Sequence, residues 1–390
     1  MMKILYDELA FVQTHGGVSR YFAEMIKCLP SDIEWNISVA ATRNAYLQQH
    51  PFNIPRMKHS LVDFSAHIPS ALLRRVFARL YQACGNVLPF GSRFDETRNR
   101  NLRESIMEKG DFDVFHLTDP HPRWNSWRKI VGRKPIVATI HDLMPEIFYP
   151  HDLLIKMMRR QLITDASHII AVSEHTKQEI MKFYGVSEKK ISVVYHGYLP
   201  NAVGSKPVVG LPEKYILYVG KRTYGKNYML FQKVAIDLLK EDNGLSLFLT
   251  GDPLSSEDRE SFLKAGVADR VVQRFISDDE MRYVFSCAKV FVCPSRYEGF
   301  GIPVLDAFAA GCPVVLSDAS CLPEVGGNAA LYFDVDEGDA MKCQIQKIIG
   351  DTGLSEELRA RGLMRAKEFS WEKCANETAA VYRRVLTSLV

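Results

Sequence analysis

The sequence predicts an α/β protein built from two doubly wound, Rossmann-like halves. Short apolar runs that indicate buried strands alternate with amphipathic segments of helical period along most of the 390 residues. This alternation is typical of parallel sheets that are covered by helices on both faces. A chain of this length is also too long for one hydrophobic core and suits two domains of ordinary size.

Composition excludes several classes of protein. With 47% hydrophobic and 24% charged residues, the chain has the make-up of a globular protein. It contains no apolar run of the ~18 residues that a membrane-spanning helix needs. Asp7 and Glu8 interrupt the N-terminus before a signal-peptide core could form, so we expect a cytoplasmic location. The eight cysteines include no Cys-x-x-Cys pair, which favours buried reduced thiols over disulfides or a metal site.

Charge is distributed unevenly along the chain. Residues 1–200 contain 26 Lys and Arg against 20 Asp and Glu, whereas residues 201–390 contain 23 against 26. Neither half has the dense basic tracts of a nucleic-acid-binding protein, so no nucleic acid partner is expected. The basic first half and the basic amphipathic segments at residues 70–84 and 153–163 favour a peripheral contact with the anionic inner membrane, at its cytoplasmic face. Ordinary helices packed on the core are the alternative.

A glycine turn opens the first helix of the chain. After a strand predicted at residues 2–6, Gly16 and Gly17 lead into an apolar helical stripe that includes Tyr21 and Phe22. The turn matches a nucleotide-binding fingerprint only loosely, because the Gly-x-Gly-x-x-Gly spacing is absent. An ordinary helix cap is therefore an equal alternative.

Polar residues follow two of the later strands of the first half. His141 and Asp142 come directly after one strand, and Ser173 follows the next along the chain. Ligands bind at the carboxyl ends of strands in open α/β sheets, which favours a ligand contact for His141 over a structural role. Ser173 begins either a helix cap or a substrate loop. The strands predicted in this half after the first are at residues 34–40, 112–117, 136–140, 168–172 and 191–194.

The alternation restarts after a stretch rich in proline and glycine at residues 197–213, which predicts an interdomain linker. We expect a first domain at residues 1–200, a second at 201–370 and a C-terminal helix at 371–390 that braces the first domain. The second half is predicted to contain strands at residues 215–219, 245–250, 271–273 and 288–293, and helices at 228–239, from 256, and at 278–285.

Three cations lie in the loop that follows the first strand of the second half. Lys221, Arg222 and Lys226 are spaced between two glycines. Arg can bind two phosphate oxygens at once, and Lys acts as a mobile point charge. The loop therefore indicates a diphosphate site, with a solvated basic loop as the alternative.

A second glycine turn, at residues 293–311, joins a buried strand to a helix. Gly299 and Gly301 let backbone amides approach a ligand, and the start of the helix favours negative charge. Glu298 and Asp306 flank the turn, and carboxylates repel phosphate but accept hydrogen bonds from hydroxyl groups. The turn thus favours a ligand that carries both phosphate and sugar, although an ordinary turn with solvated carboxylates would look similar.

In order and spacing, these motifs resemble those of a family 4 retaining glycosyltransferase of the GT-B fold, over essentially the whole chain. The residues that carry the resemblance are Gly16-Gly17, His141-Asp142, Val219-Gly220 with Arg222, Lys226-Asn227 and the run from Glu298 to Asp306. The resemblance implies an acceptor-binding first domain that faces a nucleotide-sugar-binding second domain across a cleft. Two departures are Asp306, where a second Glu is usual, and Lys221, where an Arg usually follows the glycine.

The resemblance also implies a set of site residues. Glu298 would contact hydroxyls of the donor sugar, Asp306 the ribose, and His141 the sugar near its anomeric carbon. The catalytic set is predicted to be His141, Arg222, Lys226 and Glu298. The predicted substrate-binding residues are Gly16, Gly17, Arg20, Asp142, Ser173, Lys221, Gly299, Phe300, Gly301, Ile302, Val304 and Asp306.

The implied reaction is metal-independent transfer of a hexose with retention of configuration, and it requires no cofactor beyond the nucleotide-sugar donor. Residues 16–22 are similar to those of bacterial polysaccharide mannosyltransferases, which favours GDP-mannose as donor and a lipid-linked O-antigen or capsule precursor as acceptor. The alternatives are a nucleotide-sugar epimerase, a phosphorylase and a non-catalytic sugar-binding subunit of the same fold.

Overall fold

The computed structural model describes residues 1–55, 92–120, 124–198 and 206–388. The amphipathic helix predicted at residues 70–84 and part of the predicted linker lie outside the described residues. The chain divides into two compact units. The first comprises Met1–Ile140, Leu154–Ile170 and Ala375–Val390, and the second comprises His141–Leu153 and Ala171–Cys374.

Two six-stranded sheets confirm the predicted α/β class, and the strand pairs with a defined register are all parallel. The first sheet has the order β2-β1-β3-β4-β5-β6. Its strands are β1 Met2–Tyr6, β2 Ile33–Ile37, β3 Val114–Leu117, β4 Ile136–Ile140, β5 His168–Ala171 and β6 Ile191–Val193. The helices in this part of the chain are α1 Gly17–Lys27, α2 Ser92–Lys109, α3 Trp124–Val131, α4 Met144–Phe148, α5 Leu153–Asp165 and α6 Glu174–Tyr184.

The second sheet has the order β12-β11-β10-β7-β8-β9. Its strands are β7 Tyr215–Tyr218, β8 Ser246–Thr250, β9 Val271–Arg274, β10 Val290–Cys293, β11 Val314–Ser317 and β12 Leu331–Phe333. The helices that follow β7 are α7 Tyr228–Glu241, α8 Ser256–Lys264, α9 Asp278–Cys287, α10 Ile302–Ala309, α11 Leu322–Gly326, α12 Gly338–Gly350, α13 Thr352–Ala366 and α14 Trp371–Thr387.

Strand β7 shows why helices cover both faces of the second sheet. Tyr215 and Leu217 pack into one buried cluster, with Phe308 of α10, whereas Ile216 and Tyr218 pack into another, with α7. Successive side chains of a strand point to opposite faces, so a strand buried on both faces reads as a continuous apolar run. Each fully buried side chain of this size stabilises the fold by about 1.5–3 kcal/mol.

The C-terminal helix α14 is attached to the sheet of the first unit by a buried chain of hydrogen bonds. The Tyr382 hydroxyl lies 2.8 Å from that of Tyr6 and 2.6 Å from Nδ1 of His116. Nε2 of His116 lies 2.8 Å from the Thr139 hydroxyl. Buried polar groups need such partners, so the chain fixes the helix at one position on the sheet.

The two units differ from the domains expected from sequence in two respects. Residues 371–374, at the start of the expected C-terminal helix, group with the second unit. Residues 141–153 and 171–198 also group with the second unit, although the expected first domain extends to residue 200. The contacts of His141 described below account for this grouping. The boundary itself lies outside the described residues.

The described cysteines are free thiols, and Cys293, Cys312, Cys321 and Cys374 are buried. Burial raises the pKa of Cys293 and Cys312 to about 12. Cys343 is exposed on α12, so the expectation of buried cysteines is wrong for that residue.

None of the helices in the described part of the chain combines the length and apolar character that crossing a bilayer requires.

Candidate active site

The turn between β10 and α10 presents backbone amides at the carboxyl edge of the second sheet. Gly301 has φ +93° at the N-cap of α10, a conformation that favours glycine. Within the described residues, the amides of Gly299, Phe300 and Gly301 have no hydrogen-bond acceptor. The amide of Val304 donates to the Gly301 carbonyl at 2.9 Å. Consecutive amides at a helix start form a site for an anion.

Glu298 lies just before these amides, and its carboxylate is held by two side chains. Oε1 accepts hydrogen bonds from the Ser295 hydroxyl at 2.8 Å and from the Lys226 ammonium at 2.5 Å. The Glu298 amide donates to the Ser320 hydroxyl at 3.0 Å. With 14% of its side chain exposed, Glu298 has a fixed conformation and can still reach a ligand.

Lys226 reaches Glu298 from the loop after β7, a strand that pairs with β10. The loop is joined to the turn by the Arg296 amide, which donates to the Gly225 carbonyl at 2.9 Å. Burial disfavours the charge of Lys226, but the Glu298 carboxylate outweighs this effect, and the pKa of Lys226 is raised. The ammonium therefore stays charged at neutral pH.

Arg222 and Lys221 differ sharply in their surroundings. The Arg222 guanidinium donates to the carbonyl of Thr250, at the end of β8, and to those of Asp252 and Pro253 in the loop that follows; only 6% of its side chain is exposed. Lys221 is exposed. In this structure Arg222 fixes the loop after β8, and its role as a diphosphate ligand stays a prediction.

His141 lies against the turn through its backbone. A Cβ atom on Gly299 would lie 1.7 Å from the His141 carbonyl oxygen, so only glycine permits this approach. The Gly299 carbonyl accepts a hydrogen bond from the Ser173 hydroxyl at 2.8 Å, and Ser173 also caps α6. The His141 ring lies 6.0 Å from the ring of His196. The structure thus places His141 and Ser173 against Gly299, the residue that follows Glu298.

The remaining predicted residues of this unit contribute in different ways. The side chains of Phe300, Ile302 and Val304 are buried in the core. The Phe300 amide is open to a ligand, whereas the Val304 amide already donates to the Gly301 carbonyl. The Asp142 carboxylate accepts a hydrogen bond from the Met144 amide at 3.0 Å, two residues along the chain. Asp306 lies half-buried on α10, and its contact with ribose stays a prediction.

Gly16, Gly17 and Arg20 lie in the first unit, at the start of α1. Gly16 is the N-cap and has an extended backbone, with φ 169°. Its carbonyl accepts the Arg20 amide at 2.9 Å, which begins the helix. Gly17 is exposed, and the acceptor-site role of this turn stays a prediction.

Sequence reasoning missed Tyr297, Ser295 and Ser320. Ser295 and Ser320 bond to Glu298 directly, and Tyr297 contacts the His141 segment through its hydroxyl. Ser295 and Tyr297 stand within three positions of Glu298, so their proximity was a signal. Ser320 lies in the loop after β11, a contact that no local sequence pattern predicts.

In the described ranges no three His, Cys, Asp or Glu side chains are grouped as metal ligands.

Comparison with known proteins identifies the family. Residues 205–365 match the family described as glycosyl transferases group 1, and residues 15–200 match Glycosyltransferase Family 4. The O-antigen chain mannosyltransferase B of Escherichia coli is 30% identical over 267 residues, which cover 63% of this chain and 70% of that protein. The chain belongs to the family 4 glycosyltransferases. A second relative of this glycosyltransferase, the O-antigen chain mannosyltransferase RfbU of Salmonella typhimurium, is 31% identical over 54% of this chain and 60% of its own length.

Solved structures confirm the GT-B fold of this glycosyltransferase. A sucrose-phosphate synthase from Thermosynechococcus elongatus superimposes with a TM-score of 0.72 at 18% identity, and the match covers 100% of both chains. HepE of Anabaena, solved in complex with UDP and glucose, gives a TM-score of 0.73 at 16% identity over 98% of this chain and 100% of that one. At such identities the likeness concerns the fold alone.

Proposed function

We propose that this glycosyltransferase transfers mannose from GDP-mannose to a hydroxyl of a lipid-linked glycan, such as an O-antigen or capsule precursor. The observation that carries the proposal is the group formed by Glu298, Lys226 and the amides of residues 299–301, which matches the phosphate and sugar of such a donor. Two of its relatives are named as O-antigen mannosyltransferases, which supports mannose over other hexoses.

The leaving diphosphate is stabilised by electrostatics in this proposal. The amides of residues 299–301 and the start of α10 hold the terminal phosphate, and Lys226 lies beside it with a permanent charge. Preorganised donors of this kind stabilise charge as it develops, without rearrangement during the reaction. The proposed reaction requires no metal ion and no cofactor, because these groups supply the positive charge.

The proposed transfer proceeds on one face of the sugar and retains its configuration. Glu298 accepts hydrogen bonds from donor hydroxyls, and the His141 segment lies next to the anomeric carbon. The acceptor hydroxyl oxygen forms the new bond to that carbon while the bond to the phosphate oxygen breaks. The departing phosphate oxygen takes the proton of the acceptor. Asp306 is proposed to bind the ribose.

A peripheral contact with an anionic membrane would bring the enzyme to a lipid-linked acceptor. Helix α5 supports this contact, because Leu154 and Met157 are 67% and 69% exposed on one face. Lys156 and Arg160 lie on the same two turns of the helix. Exposed apolar side chains beside cations suit the surface of an anionic bilayer. We accordingly propose that the enzyme acts at the cytoplasmic face of the inner membrane.

The proposal is tested with radiolabelled GDP-mannose, UDP-glucose and UDP-N-acetylglucosamine, each with and without a polyprenyl-diphosphate-linked glycan. We expect transfer from GDP-mannose only, and only with acceptor. An altered sugar formed from donor alone would instead identify an epimerase.

A thermal-shift panel of GDP, UDP, ADP and dTDP tests which base the donor carries, since a nucleotide at a hundred times its Kd adds about 2.7 kcal/mol of stability. Equal shifts would contradict the preference for GDP, and normal turnover by Glu298→Ala would contradict the sugar site.

A further inference from the structure

The residues on either side of Glu298 are both attached to the segment that carries His141. On one side, the Leu143 amide donates to the Tyr297 hydroxyl at 2.8 Å. On the other, the Gly299 backbone lies against the His141 carbonyl. Glu298 is thus flanked by two attachments to a single short segment.

Helix α6 supports both attachments. The Tyr297 hydroxyl lies 2.5 Å from Oε2 of Glu179, and the Ser173 hydroxyl at the N-cap donates to the Gly299 carbonyl. The two α6 contacts are formed by residues six positions apart, so one rigid helix spans both sides of Glu298.

The direction of the hydrogen bonds at Tyr297 is unambiguous. A backbone amide only donates and a carboxylate only accepts. The Tyr297 hydroxyl therefore accepts from Leu143 and donates its proton to Glu179. Burial, together with the Glu179 carboxylate, raises the pKa of Tyr297, so the hydroxyl keeps its proton at neutral pH.

The ring of Tyr297 has little freedom to move. It is 3% exposed, and the rings of Phe148 and His175 pack against it at 6.1 and 6.0 Å. A hydroxyl on such a ring has one position. Its proton is donated to Glu179, and one of its lone pairs accepts the Leu143 amide.

We propose that Tyr297 is a positioning residue that fixes the His141 segment relative to the Glu298 carboxylate. The inference rests on the proposed function, because it concerns the two groups that would contact the donor sugar. A reacting group displaced by ~1 Å can lower the rate by about 100-fold. Loss of the hydroxyl removes the only side-chain acceptor that the described residues provide for the Leu143 amide, so the segment can shift while Glu298 keeps Lys226 and Ser295.

The first test is Tyr297→Phe, which removes the hydroxyl and retains the ring. We expect kcat to fall at least about 10-fold, while KM for the donor and Kd for GDP stay within about twofold, because no group that binds nucleotide changes. Amide hydrogen exchange in the peptide covering residues 141–148 should become faster.

Tyr215→Phe is the matched control. Tyr215 is fully buried in the same unit, and its hydroxyl donates to the Val284 carbonyl at 2.5 Å. It begins β7, at the end of the strand away from the candidate site. The Tm of this variant should fall by about as much as that of Tyr297→Phe. Its kcat and the amide hydrogen exchange of residues 141–148 should stay unchanged.

A double-mutant cycle separates positioning from general loss of packing. Glu179→Gln keeps an oxygen that can accept the hydrogen bond from Tyr297, so this variant should retain most of kcat. Glu179→Ala has no such oxygen, and its kcat should fall. If both residues act through one chain of hydrogen bonds, Tyr297→Phe combined with Glu179→Ala will be no slower than the worse single variant.

Wild-type kcat in Tyr297→Phe would overturn the proposal, whatever the exchange shows. So would a loss of kcat that Tyr215→Phe reproduces at equal Tm. If the wild-type protein transfers no sugar from any donor, the proposed function is wrong. The exchange of residues 141–148 would then still show whether Tyr297 fixes the segment, and unchanged exchange would overturn that attachment too.

Discussion

The ammonium of Lys226 lies 2.5 Å from a carboxylate oxygen of Glu298. The pair joins the loops after β7 and β10, two strands that are adjacent in the second sheet but far apart in sequence. Because an ammonium has three donors, Lys226 can keep Glu298 and also bind a phosphate oxygen. In the proposed reaction, a single side chain would therefore link the carboxylate proposed to bind the sugar to the leaving diphosphate.

Substitution Lys226→Met should lower kcat by about 10²–10³-fold, the usual effect of removing one preorganised donor. It should also lower Tm, since the Glu298 carboxylate loses its counter-charge while it is largely buried. Steady-state kinetics and thermal unfolding measure both effects. Lys264→Met is the control, because that exposed residue also loses an ion pair, with Glu260. Turnover of Lys226→Met within threefold of the wild-type value would contradict the assignment.

Substitution Gly299→Ala should disrupt the site because its Cβ atom has no room beside the His141 carbonyl. Forcing a methyl group into a packed position costs about 1–3 kcal/mol, so Tm and kcat should both fall. Gly350→Ala is the matched control, since a Cβ atom there meets nothing within 4 Å. We expect that control to be neutral or slightly stabilising. Equal behaviour of the two variants would contradict the close approach.

Arg222 and Lys221 should respond differently to alanine. Arg222→Ala removes the hydrogen bonds to three carbonyls, one at the end of β8 and two in the loop that follows, and should lower Tm. Lys221→Ala changes an exposed side chain and should leave Tm unchanged. Titration of GDP into each variant then shows which cation binds diphosphate. A stable Arg222→Ala protein with weakened GDP binding would favour the direct role that the sequence suggests.

The pH dependence of stability should report on Asp7. Burial, reinforced by Glu8, raises the pKa of Asp7 from 3.8 to about 7. A carboxyl with a raised pKa stabilises the fold fully below its ordinary pKa, and this contribution is lost as the pH rises through about 7.

The Tm of the wild-type protein minus that of Asp7→Asn should therefore decrease by at least about 3 °C between pH 4.5 and 8. The Arg383 guanidinium instead lowers the pKa of Asp32. The stabilisation that Asp32 contributes is therefore lost only at lower pH. The corresponding difference for Asp32→Asn should be nearly constant over this range. A constant difference for Asp7→Asn would show that its carboxyl titrates normally.

The exposed face of α5 should contribute to membrane binding. Leu154→Asp combined with Met157→Asp should lower co-sedimentation with phosphatidylglycerol vesicles at least about 10-fold, because each apolar side chain that enters the bilayer contributes about 1.5–3 kcal/mol. Leu263→Asp on α8 is the control, since Leu263 is 67% exposed. Equal loss in the control, or no loss in the double variant, would remove α5 as the contact.

The strands were predictable because burial on both faces leaves a strong apolar signal. The predicted bounds of the strand at residues 136–140 agree with the structure, and those at 215–219 and 288–293 differ by at most two residues. Between Val314 and Ala366 the chain forms two strands and three helices that were not predicted. Helix α13 has little apolar periodicity, and only Leu358, Gly362 and Ala366 are buried, so its position depends on packing that sequence alone does not reveal.

The site was predictable where chemistry and local spacing coincide. Glu298, the two glycines that follow it and Lys226 stand in recognisable loops, and Lys226 bonds to Glu298 in the structure. The surroundings of Arg222 were not predictable, because its partners are carbonyls of a loop about 30 residues away. The role of Tyr297 was hidden for the same reason, since both of its partners lie more than 100 residues away.

The attachment of Tyr382 to Tyr6 and His116 has a consequence for the order in which the protein forms during translation. All six strands of the first sheet are synthesised before residue 200, whereas Tyr382 follows Cys374, the last residue of the second unit. The nascent first unit therefore lacks the Tyr382 hydroxyl, the partner of Tyr6 and His116, until the second unit has been synthesised. The second unit contains no residue beyond Cys374, so all of its residues leave the ribosome before the last residues of the first unit.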